Sequence, residues 1–230
     1  RAWSKNAVRC LVRRLRSRRG LVADQRGEKV CAYTFRHSLA TWAAANGYDI
    51  GNVGQGSADN HPVRNVGWYD VVKWCNAKSQ MEGLMPVYTV NGTTYKTGQV
   101  VPTVSSAANG YRLPSEKEWE WAARGGVSGV DHNYIYSGSN TVSEVGWTYE
   151  NSSDGTKAVG TKLANELGIY DMSGNVWEWC WDLHLLFSTR RIRGGGWSCS
   201  AGEATVAERE SSGNPGDRID YFGFRLARSL

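Results

Sequence analysis

The chain has 230 residues, 40% apolar and 21% charged, which is enough to bury a sizeable core and excludes a disordered polymer. Its formal net charge of +5 is unevenly placed. Residues 1–20 hold eight basic side chains (Arg1, Lys5, Arg9, Arg13, Arg14, Arg16, Arg18, Arg19) and no acid, leaving −3 for the remainder. No run of about 18 apolar residues occurs, so no transmembrane helix is expected. No apolar leader core precedes the basic run, so a secretion signal is absent or already removed.

Residues 1–27 read as a basic, solvated N-terminal arm, a composition also compatible with contact to nucleic acid or an anionic membrane. A single domain is expected from residue 28 onward. From Thr34 to Asn46, Phe35, Leu39, Trp42 and Ala43 follow helical spacing, and Gly47 suits the left-handed stop. Residues 49–64 are rich in Gly, Asn and Asp and read as loop. A second amphipathic helix is predicted over Trp68–Ser79, with Trp68, Val71, Val72 and Cys75 inward and Lys73 and Asn76 outward. Val87–Val90 and Thr93–Lys96 flank Asn91-Gly92, the pair favoured in a type I′ hairpin. Ser115 and Glu118 form a capping-box signature for a short helix through Trp119, Ala122 and Ala123, closed by Gly125-Gly126. Residues 127–230 offer few places for a helix of more than two turns. Their loops need side-chain hydrogen bonds or bound ions to hold them.

The five cysteines (Cys10, Cys31, Cys75, Cys180, Cys199) are odd in number and show no metal-ligand spacing. Cys75 and Cys180, among apolar neighbours, read as buried free thiols. His37, His61, His132 and His184 are dispersed and read as structural or exposed. The eleven tryptophans, many in Gly- and Asn-rich surroundings, read as aromatic anchors for loops.

Four motifs carry a resemblance. Pro62-Val63-Arg64-Asn65-Val66-Gly67-Trp68-Tyr69-Asp70 with Trp74-Cys75-Asn76 is the first. Tyr111-Arg112-Leu113-Pro114-Ser115-Glu116-Lys117-Glu118-Trp119-Glu120-Trp121-Ala122-Ala123-Arg124-Gly125-Gly126 is the second, and Leu167-Gly168-Ile169-Tyr170-Asp171-Met172-Ser173-Gly174-Asn175-Val176-Trp177-Glu178-Trp179 the third. Arg193-Gly194-Gly195-Gly196-Trp197 and Gly223-Phe224-Arg225-Leu226 close the set. In this order, over roughly residues 60–230, they resemble the formylglycine-generating-enzyme (sulfatase-modifying factor) family. The resemblance implies an α+β, C-type-lectin-like fold with much irregular loop, over residues 28–230. Glu28-Lys29-Val30-Cys31-Ala32-Tyr33 departs from the family's opening strand.

Structural calcium in this family makes Asn151, Asp171 and Asn175 candidate oxygen donors, against the alternative that these side chains bond backbone. Trp177, Trp179 and Trp197 are expected to anchor coil to core, with Asn175 and Glu178 bracing neighbouring loops through backbone amides. No other cofactor is expected. Family enzymes use two cysteines five residues apart, a soft-metal pair suited to copper. Cys199 matches the first and Ala204 stands at the second, so a non-enzyme is expected, with a copper/thiol cysteine oxidase as the alternative.

The segment from Trp197 to Ala227 also resembles the variable region of diversity-generating-retroelement target proteins, in which template adenines are copied with errors. That resemblance makes residues 193–230 a ligand-binding region. Its replaceable positions are Ser198, Cys199, Ser200, Gly202, Ser211, Ser212, Asp217, Ile219, Asp220 and Tyr221. Trp197, Val206, Ala207, Arg209, Phe224 and Arg225 are its supporting scaffold. Glu203, Glu208 and Glu210 are not reachable from Asn codons by such errors and are expected to be fixed. The implied protein is a monomeric receptor on the bacterial surface, an outer-membrane lipoprotein by resemblance, held to the membrane only through a lipid anchor on its precursor. It binds a protein or cell-surface ligand and no nucleic acid.

Overall fold

A computed structural model describes residues 32–50, 54–58, 60–129, 131–184, 188–209 and 211–228. The basic arm, Cys10, Cys31, the side chains of Phe35 and His37, and Glu210 lie outside what is described. These residues group into two compact units, one of 69–112 with the chain ends, the other of 54–68 and 113–225.

In the first unit, helix α1 (Ala32–Ala45) covers most of the helical segment expected over residues 34–46. Residues 28–31, where the sequence departs from the family's opening strand, lie outside the described residues. Helix α2 (Trp68–Met81) follows its predicted period. Leu39, Ala43, Tyr48, Ile50 and Ala77 form one core cluster, joined by Trp42, Trp74 and Met81. Strands β1 (Tyr88–Val90) and β2 (Thr93–Thr94) make the expected hairpin, with Asn91 and Gly92 at φ 51° and 75°, as a type I′ turn requires. Strand β3 (Thr103–Val104) pairs with β1 on its other side. Strand β4 (Tyr111–Arg112) pairs antiparallel with β11 (Ala227–Arg228).

Two polar residues of α2 correct the sequence reading. Lys73 and Asn76 point inward, at 2% and 0% exposure. Asn76 Nδ2 donates to the carbonyls of Tyr88 and Tyr95 (2.7 and 3.0 Å), and its Oδ1 accepts from Tyr88 N (3.0 Å). Lys73 Nζ donates to Gly98 O at 3.2 Å. The hairpin turns its carbonyls toward the helix, so these polar groups are buried with partners. Cys75 is buried and unpaired, as expected.

The second unit is built from short pieces. Helix α3 (Glu116–Ala123) begins at the Ser115–Glu118 capping box, complete in both directions. One-turn helices α4 (Gly126–Gly129), α5 (Val142–Val145) and α6 (Tyr149–Ser152) follow. Strands β5 (Gly146–Trp147) and β6 (Ser173–Gly174) pair in parallel. The central sheet has the order β10-β7-β8-β9, where β7 is Trp177–Leu183, β8 Arg190–Arg193, β9 Ser212–Gly213 and β10 Phe222–Gly223. Parallel pairing of β10 with β7 returns the chain to the edge of the sheet beside β7 after the 194–221 excursion. Trp119, Ala123, Met172, Cys180 and Val206 form one core cluster of this unit. Cys180 is a buried free thiol.

Trp179 is fully buried, its indole N–H bonded to Val66 O at 2.8 Å. Phe222 packs edge-on against it at 4.9 Å. A Cβ on Gly213 would fall 2.7 Å from both rings, so that position admits only glycine. Among the described residues no helix is long and apolar enough to cross a membrane.

Candidate functional site

The segment 194–221 leaves β8 and returns as β10. What holds it begins with the cross-strand pair Glu178↔Arg193. Arg193 is fully buried: Nη1 lies 2.8 Å from Glu116 Oε1, and Nη2 reaches Glu120 Oε2 (3.2 Å) and Val206 O (2.7 Å). Its guanidinium lies 5.0 Å over the Trp119 ring. Arg209 Nε adds a second cation 3.2 Å from Glu116 Oε1. Burial alone would raise the Glu116 carboxyl, but the bond from Arg209 and the charge of Arg193 hold it below its usual range.

Glu178 is 5% exposed and accepts the Trp119 indole N–H at 2.6 Å and both Nε and Nη2 of Arg225. The expectation that Glu178 braces backbone amides is thus corrected. It anchors Arg225 across the sheet, and Arg225 passes the contact on to the carbonyls of Tyr170 and Asp171 (3.3 Å each).

The segment itself is fastened mainly through its own backbone. Trp197 N donates to Asn175 O (2.9 Å), and Trp197 O accepts from Ser152 Oγ (2.8 Å). Cys199 O accepts from Tyr149 N (2.9 Å), and Ala201 N donates to Glu150 Oε1 (3.2 Å). Val206 N donates to Ile135 O (2.9 Å), and Arg209 O accepts from Arg191. At the far end, Ile219 O accepts from Asn65 N (3.1 Å) and Tyr221 O from Trp177 N (2.8 Å). These bonds do not depend on which side chain each segment residue carries. The 3₁₀ turn Ala201–Ala204 is the exception, held by segment side chains: Glu203 Oε2 accepts from the backbone N of Ser200 at 3.0 Å and from its hydroxyl, closing a capping box.

The candidate positions divide by exposure. Ser198, Ser200, Gly202 and Asp220 are exposed; Ser211, Ser212, Asp217, Ile219 and Tyr221 are partly exposed. Cys199 was expected outward and is not: it is 9% exposed, and its Sγ accepts the Trp177 indole N–H at 2.9 Å. Among the scaffold residues Val206 is buried, while Trp197, Phe224 and Arg225 are half-buried. Ala207 was expected to pack from behind and is exposed, because the chain turns outward after Val206. Arg209 is half-exposed but engaged with Glu116. The buried aromatic at the C-terminal end is Phe222, which the sequence reading passed over in favour of Phe224; the parallel register Phe222↔Trp177 puts it inside.

The proposed calcium donors are engaged otherwise. Asn151 Oδ1 accepts from Thr148 N (2.8 Å) and its Nδ2 donates to Gly146 O (3.0 Å). The Asn175 amide clasps the Lys157 peptide, with both bonds at 3.1 Å. Asp171 Oδ2 accepts from Gly160 N (2.7 Å); its buried Oδ1 has no partner, and burial raises its pKa. With both amide oxygens turned to peptide N–H groups, the three residues do not fit a calcium cage. Among the described residues no three His, Cys, Asp or Glu side chains converge on a metal position.

Copper fits no better. Ala204 is fully buried, and a Cβ placed on Gly195 would fall 2.9 Å from its Cα. Burial pushes the single thiol of Cys199 above the usual cysteine range, away from the thiolate form that metal binding or nucleophilic attack needs.

A sulfatase-modifying factor enzyme 1-like domain matches residues 22–230. The chain belongs to this family. Its relatives include a protein named chaperone LppX of Paenibacillus barcinonensis, 40% identical over 179 residues, covering 65% of this chain and 63% of LppX. Among solved structures, CarF superposes with a TM-score of 0.75 at 31% identity, covering 87% of this chain and 84% of CarF. Treponema denticola variable protein 1 superposes at 0.67 with 30% identity, covering 85% and 81%. The family contains both active and inactive members: a formylglycine-generating enzyme of Thermomonospora curvata is 31% identical over 54% of this chain and 34% of its own length. An inactive formylglycine-generating enzyme 2 of Bos taurus is 34% identical over 53% and 45%. The formylglycine-generating-enzyme-like α+β fold expected from the motifs is the one found, as is the likeness to a variable protein.

Proposed function

We propose that this chain is a non-catalytic ligand-binding protein in which the segment 197–221 presents replaceable side chains on a fixed scaffold, the target of a diversity-generating retroelement. The observation that carries this reading is the mode of attachment: the segment is bonded to the rest of its unit chiefly through its own peptide groups. Positions Ser198, Ser200, Gly202 and Asp220 are exposed to solvent, while the carboxylates and guanidinia that hold the shape lie largely outside the replaceable positions. A surface mixing Tyr, Ser, Gly and Asp suits adaptable recognition. Likeness to variable protein 1 supports the reading, and the name of LppX fits a binding role rather than chemistry. The proposed setting is a bacterial cell surface, with a lipid anchor on the precursor, a monomeric form and a protein or cell-surface ligand.

A cysteine-oxidase reading needs a second thiol where Ala204 is packed and a reactive thiolate where Cys199 is buried. Neither requirement is met by the residues present.

Sequencing the locus in several isolates tests the proposal. Differences are expected to cluster at the exposed positions after Trp197 and to spare Glu203, Val206, Phe222 and Arg225. Differences spread evenly along the chain would sink it.

A further inference from the structure

Beside the C-terminal end of the variable segment lies a group of side chains to which the family motifs assign no role. Gln55 and Arg64 exchange backbone hydrogen bonds (2.8 Å each), closing the loop between them. Val159 N donates to Asn60 O (2.8 Å), laying this loop along residues 156–159. Thr156 is 5% exposed, and its hydroxyl sits 2.9 Å from His61 Nδ1 and 3.1 Å from Ser57 Oγ. Lys157 is the next residue, its peptide clasped by Asn175. Asn65 N holds the same loop to Ile219 O, and Arg64 Nη1 lies 3.9 Å from Asp220 Oδ2. Asp59 lies outside the described residues.

Two adjoining segments thus carry three basic side chains and two hydroxyls: His61 and Ser57 meet Thr156, the charges of Lys157 and Arg64 act on His61, and Arg64 reaches position 220. Among the described residues Lys157 forms no ion pair, and the carboxylate beside Arg64 is the distant, half-exposed one of Asp220. Burial first, then the charges of Lys157 and Arg64, hold the His61 pKa below its usual value. An imidazole placed so gains its proton more readily once a negative charge arrives.

We propose that His61, Arg64 and Lys157, with the Ser57 and Thr156 hydroxyls, form a fixed site for a tetrahedral oxyanion (a phosphate or sulfate group of the ligand), and that the side chain at position 220 controls access to it. The second half of this statement rests on the proposed variability of position 220. Asp220 competes with the ligand for Arg64. A neutral residue there releases a guanidinium whose planar fork matches oxyanion geometry. Hydroxyl donors at Ser57 and Thr156 complete the shell. Diversification would then alter shape and, at one position, also switch charge recognition on or off.

The test uses the full chain with labelled histidine, following the His61 ring by NMR through a pH titration in sodium sulfate and in sodium chloride at equal ionic strength. Sulfate is expected to raise the His61 pKa by about half a unit or more in Asp220→Asn, less in the wild type, and not at all in Asp220→Asn/Arg64→Gln. No difference between the salts in any variant overturns the site. An equal rise in wild type and Asp220→Asn overturns the control by position 220. Sedimentation with phosphatidylglycerol vesicles separates the sources: retention of Asp220→Asn above wild type assigns the anion to a lipid headgroup, and a sulfate response without retention assigns it to a soluble or polymer-borne ester. The titration compares defined sequences, so its result stands apart from that of isolate sequencing.

Discussion

The β7–β8 ladder and the segment that follows it are both rich in polar residues, yet they use them in opposite ways. In the ladder, Glu178, Arg190 and Arg193 are buried and bonded by their side chains. In the segment, Ser198, Ser200 and Asp220 are exposed, while the peptide groups around them make the contacts to the scaffold. One region depends on residue identity and the other on backbone position. Such a division is what a surface of changing sequence requires from a fold of fixed shape.

The contrast can be broken at its strong end first. Arg193→Ala leaves Glu116 and Glu120 facing each other without their buried partner and is expected to cost about 3–5 kcal/mol, read by urea unfolding. A loss under about 1 kcal/mol would show that the network is not what holds the segment. Cys199 lies on the boundary, since it falls in the segment but is packed under Trp177. Cys199→Tyr is expected to cost about 1–3 kcal/mol by overpacking. If it is tolerated like a surface change, position 199 belongs with the displayed residues after all. At the weak end, Ser198→Tyr is expected to stay within about 0.5 kcal/mol of the parent, since the side chain faces water. A larger loss there would count against the segment's indifference to sequence.

Much of the fold was legible where the signal is local. The Ser115–Glu118 box and the Asn91-Gly92 turn depend on residues within three positions of one another, and both form as read. The periodicity of α2 was also readable, but Asn76 and Lys73 were assigned to the wrong face. Their partners come from the hairpin 12 to 25 residues later, which a helical wheel cannot show. In the candidate site, Ser198, Ser200, Gly202 and Asp220 were picked out by the resemblance to a variable region, and all four are exposed. The burial of Cys199 and Phe222 was not legible, because it is set by Trp177 and Trp179, 22 and 43 positions away. Glu178 was singled out by its motif, yet its partners come from far along the chain: Trp119 on α3, and Arg225, which the parallel β10–β7 pairing brings to it.

The fastening of residues 197–221 by peptide groups has a consequence for insertions and deletions. Peptide groups along the segment are matched to fixed acceptors or donors, from Asn175 and Tyr149 at one end to Asn65 and Trp177 at the other. Adding or removing one residue anywhere between them would slide every later peptide past its mate. The loop can therefore change its exposed letters but hardly its count, and a copying process that swaps bases while keeping length is the kind of mutagenesis this architecture can survive.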